Sequence, residues 1–336
     1  MTTDPSAARA AVDLLTGAWR AQAVHVATRL GLPDLIAAGR TTGAALAEAT
    51  GTDTDALHRL LRLLVILGVL EGGEPDGYRN SAVGDLLRDR PGSLRDLSLL
   101  YGEEFYRAWS GAEHALRTGR PAFEQEYGQS LIAYLGGNQE AAGRFQRAMQ
   151  GSNFFFERVP EVFDFAGCRL VVDIGGGSGQ LLSTVLAAAP DAHGVLVDLP
   201  HVLPIARAHL AATVGEDRVR LVGQDMFEGP LPEGADAYLL SRVLGDWDEP
   251  ACLRLLAEVR AVMRADSRLL VLERVVREDG TGPLAALWDV HLLVVNGGRQ
   301  RTLDEYHTLF GRSGLAVERI EELPMENSVL VVAPER

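Results

Sequence analysis

Apolar residues recur at intervals of three and four through Val12, Leu15, Trp19, Ala23, Val26 and Leu30, which predicts one long helix over residues 8 to 30 with a single buried stripe. Gly31 and Pro33 stop it. Two further helical runs follow, TTGAALAEATG and TDTDALHRLLRLLVILGVL, with Thr41 or Thr42 and then Thr52 or Asp53 as caps. EGGEPDGYRN then reads as a hairpin turn, so the order is helix, helix, wing. Between 97 and 165 aromatic residues fall at helical spacing, among them Phe105, Trp109 and Phe155. Such a stripe is usually core, and part of it is a candidate roof for a pocket that takes an aromatic ligand.

After Ala166 the pattern changes. RLVVDIG, HGVLVDL, RVRLVG, DAYLLS, SRLLVLERV, AVERI and SVLVVA alternate with helical segments, as expected for buried parallel strands covered on both faces. Only EELPMEN separates the last two, too short for a helical crossover, so they pair antiparallel. The expected fold class is α/β. A Rossmann-like domain over 166–336, seven-stranded with its last strand antiparallel, follows an all-α domain over 1–165 that contains a winged-helix piece.

Composition narrows the partners. A formal net charge of −14 repels phosphate backbones and argues against nucleic acid, so the winged-helix piece is read as packing rather than DNA-reading. No run approaches the ~20 apolar residues of a membrane span, and the N-terminus lacks a basic start before an apolar run, so residence in the cytoplasm is expected. Cys168 and Cys252 form no pair motif and are read as buried thiols. His193, His201, His209 and Asp198 have no metal-ligand spacing, so no metal is expected.

The sharpest motif is Val171-Val172-Asp173-Ile174-Gly175-Gly176-Gly177-Ser178-Gly179-Gln180, where a strand turns into a helix. Glycines there let backbone approach a ligand beside free helix N–H groups. A dinucleotide fingerprint beginning at Gly175 needs glycine at 180, where this chain has Gln180. Asp198 closes the next strand, where a carboxylate accepts both ribose hydroxyls of a bound nucleoside. Asp225, after the third strand, is placed for an adenine amino group, with Met226 and Phe227 beside the ring.

Together VVDIGGGSGQ, LVDLP, GQDMFEGPLPEGADAYLLSRVLGDWDEP, LLVLERVV and GGRQRTLDEY resemble the small-molecule O-methyltransferases of bacterial polyketide pathways and their plant phenolic relatives, over nearly the whole chain. The resemblance implies S-adenosyl-L-methionine as cofactor, S-adenosyl-L-homocysteine as product, and a homodimer interleaved through the N-terminal helices. It places Asp173, Gly175 and Gly177 at the methionine part of the cofactor, Asp198 and Leu199 at ribose, Asp225 and Met226 at adenine, Ser241 and Arg242 at the following edge, and Trp247 near the adenosine. Arg144 is a candidate partner for the cofactor carboxylate. The candidate acceptor wall is Phe105, Trp109, Met149, Phe155, His291 and Asn296.

Many relatives use a histidine in the stretch equivalent to SRVLGDWDE to take the acceptor's proton. Here that position is Gly245, and the acidic residue that orients the histidine in plant-type relatives is Gln300, while the second supporting carboxylate remains as Glu273. Three readings follow: methylation of a hydroxyl by proximity and orientation, which is preferred; methylation of a nitrogen; or use of the cofactor without methyl transfer. A dehydrogenase using the same kind of sheet and a winged-helix regulator are the more distant readings. Asp246 and His291 are the candidate replacement bases beside Glu273. Loss of the imidazole is expected to enlarge the cavity beside Gly245.

Overall fold

The computed structural model describes residues 4–335. One compact unit runs up to Tyr106 and includes Glu140–Ser152; the other comprises Arg107–Gln139 and the chain from Asn153 onward. A single boundary at 165 does not capture this interleaving. Helices Ala112–Thr118 and Ala122–Tyr127 pack on helix Pro283–Val295, which ties that inserted segment to the second unit.

The first unit begins with two helices, not one. Pro5–Leu15 starts on Asp4, whose carboxylate accepts the Ser6 N–H. The Thr16 hydroxyl then donates to the Val12 carbonyl at 2.8 Å and Thr16 leaves helical geometry before Gly17–Arg29 resumes. The apolar stripe is not buried within the chain: Val12, Leu15 and Trp19 are 53%, 79% and 72% exposed. Thr42 caps Gly43–Thr50 and Asp53 caps Thr54–Ile66, each accepting a backbone N–H. The hairpin of β1 (Leu70–Gly73) and β2 (Gly77–Asn80) follows in the expected order. Leu32, Leu46, Leu61 and Leu64 centre this unit's core.

The second unit is built on β3 (Leu170–Ile174), β4 (His193–Asp198), β5 (Val219–Gly223), β6 (Ala237–Ser241), β7 (Arg268–Val276), the two-residue β8 (Arg301–Thr302), β9 (Leu315–Leu323) and β10 (Asn327–Pro334). The sheet order is β5-β4-β3-β6-β7-β10-β9, with β8 beside β7. β10 runs antiparallel to both its neighbours, as the short connection requires. The seven predicted strands are present, and β8 is added by the segment that follows Gln300. Successive residues serve opposite faces: Val172 joins the core that holds Leu255 and Tyr306, while Val171 joins the one that holds Leu181 and Phe155. β3 pairs with both β4 and β6, so the strand order reverses there and opens a crevice at the carboxyl ends of the strands.

Candidate functional site

At that crevice the next-to-last residue of β3 is Asp173, which is 1% exposed and has one oxygen, Oδ2, without a hydrogen-bond partner. Burial, and then the charge of Asp198, push its carboxyl up to about 7. Gly175 and Gly177 follow with φ of 70° and 57°, a region that side chains resist. A Cβ at Gly175 would stand 2.9 Å from Val243 Cγ2. The turn therefore brings bare backbone to the front of helix Gln180–Ala188, whose first-turn N–H groups favour polar ligand atoms.

Asp198 closes β4 and is fixed from both sides. Its Oδ2 accepts the Gly177 N–H at 2.8 Å and its Oδ1 the Leu199 N–H at 2.7 Å. Each oxygen keeps a second lone pair for a ribose hydroxyl. Burial raises its proton affinity against these two bonds. Asp225 accepts the Phe227 N–H at 2.9 Å. Phe227 meets Trp247 edge to face at 4.7 Å, and Met226 packs in the same cluster. Ser241 ends β6 with a buried hydroxyl that has no partner. Arg242 adopts φ of 54° and donates to the Asn153 side chain.

Gly245 stands in the turn Leu244–Asp246. Its N–H donates to Glu273 Oε1 at 3.1 Å, and its carbonyl accepts the Arg299 N–H at 2.8 Å. A Cβ there would meet Glu273 Oε2 at 3.2 Å, Gln300 Nε2 at 3.3 Å and Leu292 Cδ1 at 3.4 Å. Against the enlarged cavity expected at this position, these three side chains crowd the first atom that a side chain there would add. Glu273 is 1% exposed, and burial, with Asp246's charge also acting, pushes it up to about 7. Asp246 Oδ1 accepts from Asn296 Nδ2 at 2.8 Å, and Asn296 Oδ1 accepts the Gly298 N–H at 3.0 Å. Asn296 is thereby engaged at both polar ends in tying its loop to Asp246. Burial raises Asp246 to about 6 against that bond and the Arg242 charge, yet solvent still reaches the residue.

Trp109 Nε1 donates to His291 Nδ1 at 3.0 Å, and the rings stack. An indole N–H only donates, so Nδ1 carries no proton and its lone pair is engaged. Burial pushes His291 down to about 4. The sequence-based expectation of His291 as a base fails on both counts, although the residue remains beside the 36% exposed Trp109.

Phe155 is corrected as well. It is 1% exposed and packs edge to face on Phe156 inside the core, whereas Phe154 is 49% exposed. Three candidates fall in the first unit. Phe105 is buried, with Tyr101 at 5.7 Å, and Met149 lies half-buried on helix Gln139–Gly151. Arg144 is taken by Glu103, at 2.6 Å, and Glu104. Burial opposes its charge, but these carboxylates hold its proton more tightly than usual.

Two site residues were missed in the sequence. Asn153 is 6% exposed and links Arg242 to Gln180, at 3.3 Å. Arg301 is 3% exposed and bonds the carbonyls of Leu244 and Trp247. Neither belongs to a periodic pattern, though the density of arginine in GGRQRT was a signal for the second. Among the described residues, no group of three or more His, Cys, Asp or Glu stands where it could hold a metal ion. No helix among them is long and apolar enough to cross a membrane.

Buried carboxyls, a glycine turn and an aromatic pair beside Asp225 fit an adenosyl group that carries a cationic centre. Comparison with known proteins agrees. Residues 109–316 match the O-methyltransferase domain and residues 12–90 the O-methyltransferase dimerisation domain. The chain is 46% identical over 328 residues to a phenazine-1-carboxylate N-methyltransferase of Pseudomonas aeruginosa, covering 98% of each. It is 43% identical over 334 residues to a 3-amino-4-hydroxybenzoate 4-O-methyltransferase of Streptomyces cremeus, covering 98% of this chain and 91% of that one. Its structure aligns with human N-acetylserotonin methyltransferase in complex with S-adenosylmethionine at a TM-score of 0.90 and 27% identity, over all of both chains. The chain belongs to the S-adenosylmethionine-dependent O-methyltransferase family, in the form that carries an N-terminal dimerisation domain.

Proposed function

We propose that the protein methylates a hydroxyl of a small aromatic natural product by holding it in line with the methyl donor, without a histidine base. The observation that carries this reading is the closure around Gly245 by Glu273, Gln300 and Leu292, which leaves no imidazole in the place where relatives use one. The cofactor supplies a methyl group already made electrophilic by its sulfonium.

Asp173, Gly175 and Gly177 hold the methionine end in this reading, Asp198 and Leu199 the ribose, and Asp225, Met226, Ser241, Arg242 and Trp247 the adenosine. Arg144, occupied by Glu103 and Glu104, is left out of the set. Trp109 and His291 form part of the acceptor wall. As the methyl–sulfur bond breaks and the new carbon–oxygen bond forms, leaving the neutral thioether, the hydroxyl proton would pass to Asp246, whose carboxylate is ionised above about 6, oriented through Oδ1 by Asn296 and wetted by solvent. Positioning supplies most of the acceleration.

A second reading, methylation of a neutral ring nitrogen, is favoured by the 46% identity to an N-methyltransferase and needs no proton acceptor. The protein acts in this reading as a homodimer through the uncovered face of Pro5–Arg29, and in the cytoplasm, where its free Cys168 and Cys252 stay reduced.

Methyl-labelled S-adenosylmethionine, offered with hydroxyaromatic acids and their aza-aromatic counterparts and read by mass spectrometry, tests the assignment. Label on oxygen supports it, label on nitrogen replaces it with the second reading, and no label on any acceptor overturns both.

A further inference from the structure

We infer that Arg301 is a positioning residue for methyl transfer, setting the turn 244–247 by gripping both of its ends. The inference holds whether oxygen or nitrogen is methylated.

Arg301 opens β8 beside Val275 and is 3% exposed. Its Nη1 donates to the Leu244 carbonyl at 2.8 Å, and its Nη2 to the Trp247 carbonyl at 3.1 Å and to Cys252 Sγ at 3.4 Å. The thiol of Cys252 in turn points at the Leu244 carbonyl at 3.3 Å. Leu244 is fully buried, and a buried carbonyl needs a donor, which Arg301 supplies there while also bonding the half-buried carbonyl of Trp247. The planar guanidinium reaches two carbonyls at once, whereas an ammonium is a point charge.

What lies between those two carbonyls gives the grip its use. Gly245 bonds Glu273, Asp246 bonds Asn296, and Trp247 meets Phe227 beside Asp225. One side of this turn therefore faces the adenosine set and the other carries the solvent-reached Asp246. Burying a guanidinium is costly, and a well-packed apolar side chain often serves stability as well or better. Arg301 sits on the segment Gly298–Thr302, whose Arg299 N–H and Gly298 also close on Gly245: a Cβ at Gly298 would strike the Gly245 carbonyl at 2.1 Å. The segment and the turn thus form one rigid piece with Arg301 as its pin.

The test compares Arg301→Lys and Arg301→Met with the unaltered protein, at a temperature where circular dichroism shows each folded. S-adenosylhomocysteine affinity is measured by calorimetry and kcat by methyl transfer. Losing one of two charge-assisted bonds is expected to weaken S-adenosylhomocysteine about tenfold in Arg301→Lys and about 100-fold in Arg301→Met, with kcat falling alongside. If Arg301→Met does not fold, Arg301→Lys decides the matter. An Arg301→Lys protein that melts earlier but keeps both affinity and kcat within about twofold overturns the inference and leaves Arg301 as packing alone.

Discussion

The backbone N–H of Gly245 donates to Glu273 Oε1 at 3.1 Å, and the other oxygen of the same carboxyl stands 3.2 Å from where a Cβ on Gly245 would be. The loss of a histidine from this position is therefore not a simple deletion, because its surroundings have settled onto the glycine. Gly245→His is expected to destabilise the protein by about 1–3 kcal/mol through overpacking and to give no base-assisted gain on simple phenols. Thermal unfolding and initial rates check this; a variant as stable as the parent and faster on phenols would remove the packing argument.

Glu273 predicts a pH dependence of stability. Its ordinary value of 4.5 is raised to about 7 in the folded protein, chiefly by burial. The folded state thus favours the acid form, so this group's contribution is complete below 4.5 and is lost as pH rises through about 7. Glu273→Gln should flatten the stability curve across that window by something of the order of 3 kcal/mol. Denaturant unfolding at several pH values measures it, and a curve as steep as the parent's refutes it.

Asn296 governs the acid limb of activity. Its bond to Asp246 favours the ionised carboxylate, so removing it raises Asp246 further above its ordinary range. In Asn296→Ala the acid limb of kcat/KM should move upward from about 6, with activity near pH 8 falling less than at pH 6. A limb that stays in place separates Asp246 from the proton transfer.

The Trp109–His291 pair predicts which variants spare chemistry. With Nδ1 engaged and its proton affinity lowered to about 4, His291 does not serve as a base. His291→Ala is expected to raise the acceptor KM while lowering kcat by less than about tenfold, below the usual range for loss of a general base. Trp109→Phe should shift the acceptor KM in the same direction. A kcat loss of about 1,000-fold in His291→Ala would restore the residue to catalysis.

Trp19 at 72% and Leu15 at 79% exposed make the N-terminal face a strong candidate for self-association. Trp19→Glu should raise the dimer dissociation constant by about 100-fold or more, as loss of a central aromatic anchor does. Sedimentation velocity reads it directly, and an unchanged dimer would move the interface elsewhere.

The sequence of this chain was most legible where the determinant is local or periodic. Seven short apolar runs specify the strands, buried through the middle of the sheet and half-exposed at its edges, β5 and β9, because only the inner strands are covered on both faces. The EELPMEN connection specifies an antiparallel end, because its length admits no crossover. Thr42 and Asp53 announce helix starts, because a capping side chain acts within three residues. Asp173, Asp198 and Asp225 could be placed in the same way, in or just after the carboxyl ends of β3, β4 and β5.

Other features depend on which distant surfaces meet. The spacing of Val12, Leu15 and Trp19 showed an apolar face, but only the fold revealed that it stays exposed among the described residues. The run Phe154-Phe155-Phe156 contains a core residue beside an exposed one, and the choice depends on how a 3-10 turn presents each ring. Gly245 announced a missing imidazole, yet the side chains of Glu273, Leu292 and Gln300, drawn from three separate segments, decided that even a Cβ there is crowded. Arg301 and Asn153 act through partners far along the chain. A period of two or 3.6 determines which element forms and which face is apolar. It says nothing about what fills the space opposite, and that was settled only by the three-dimensional packing of the chain.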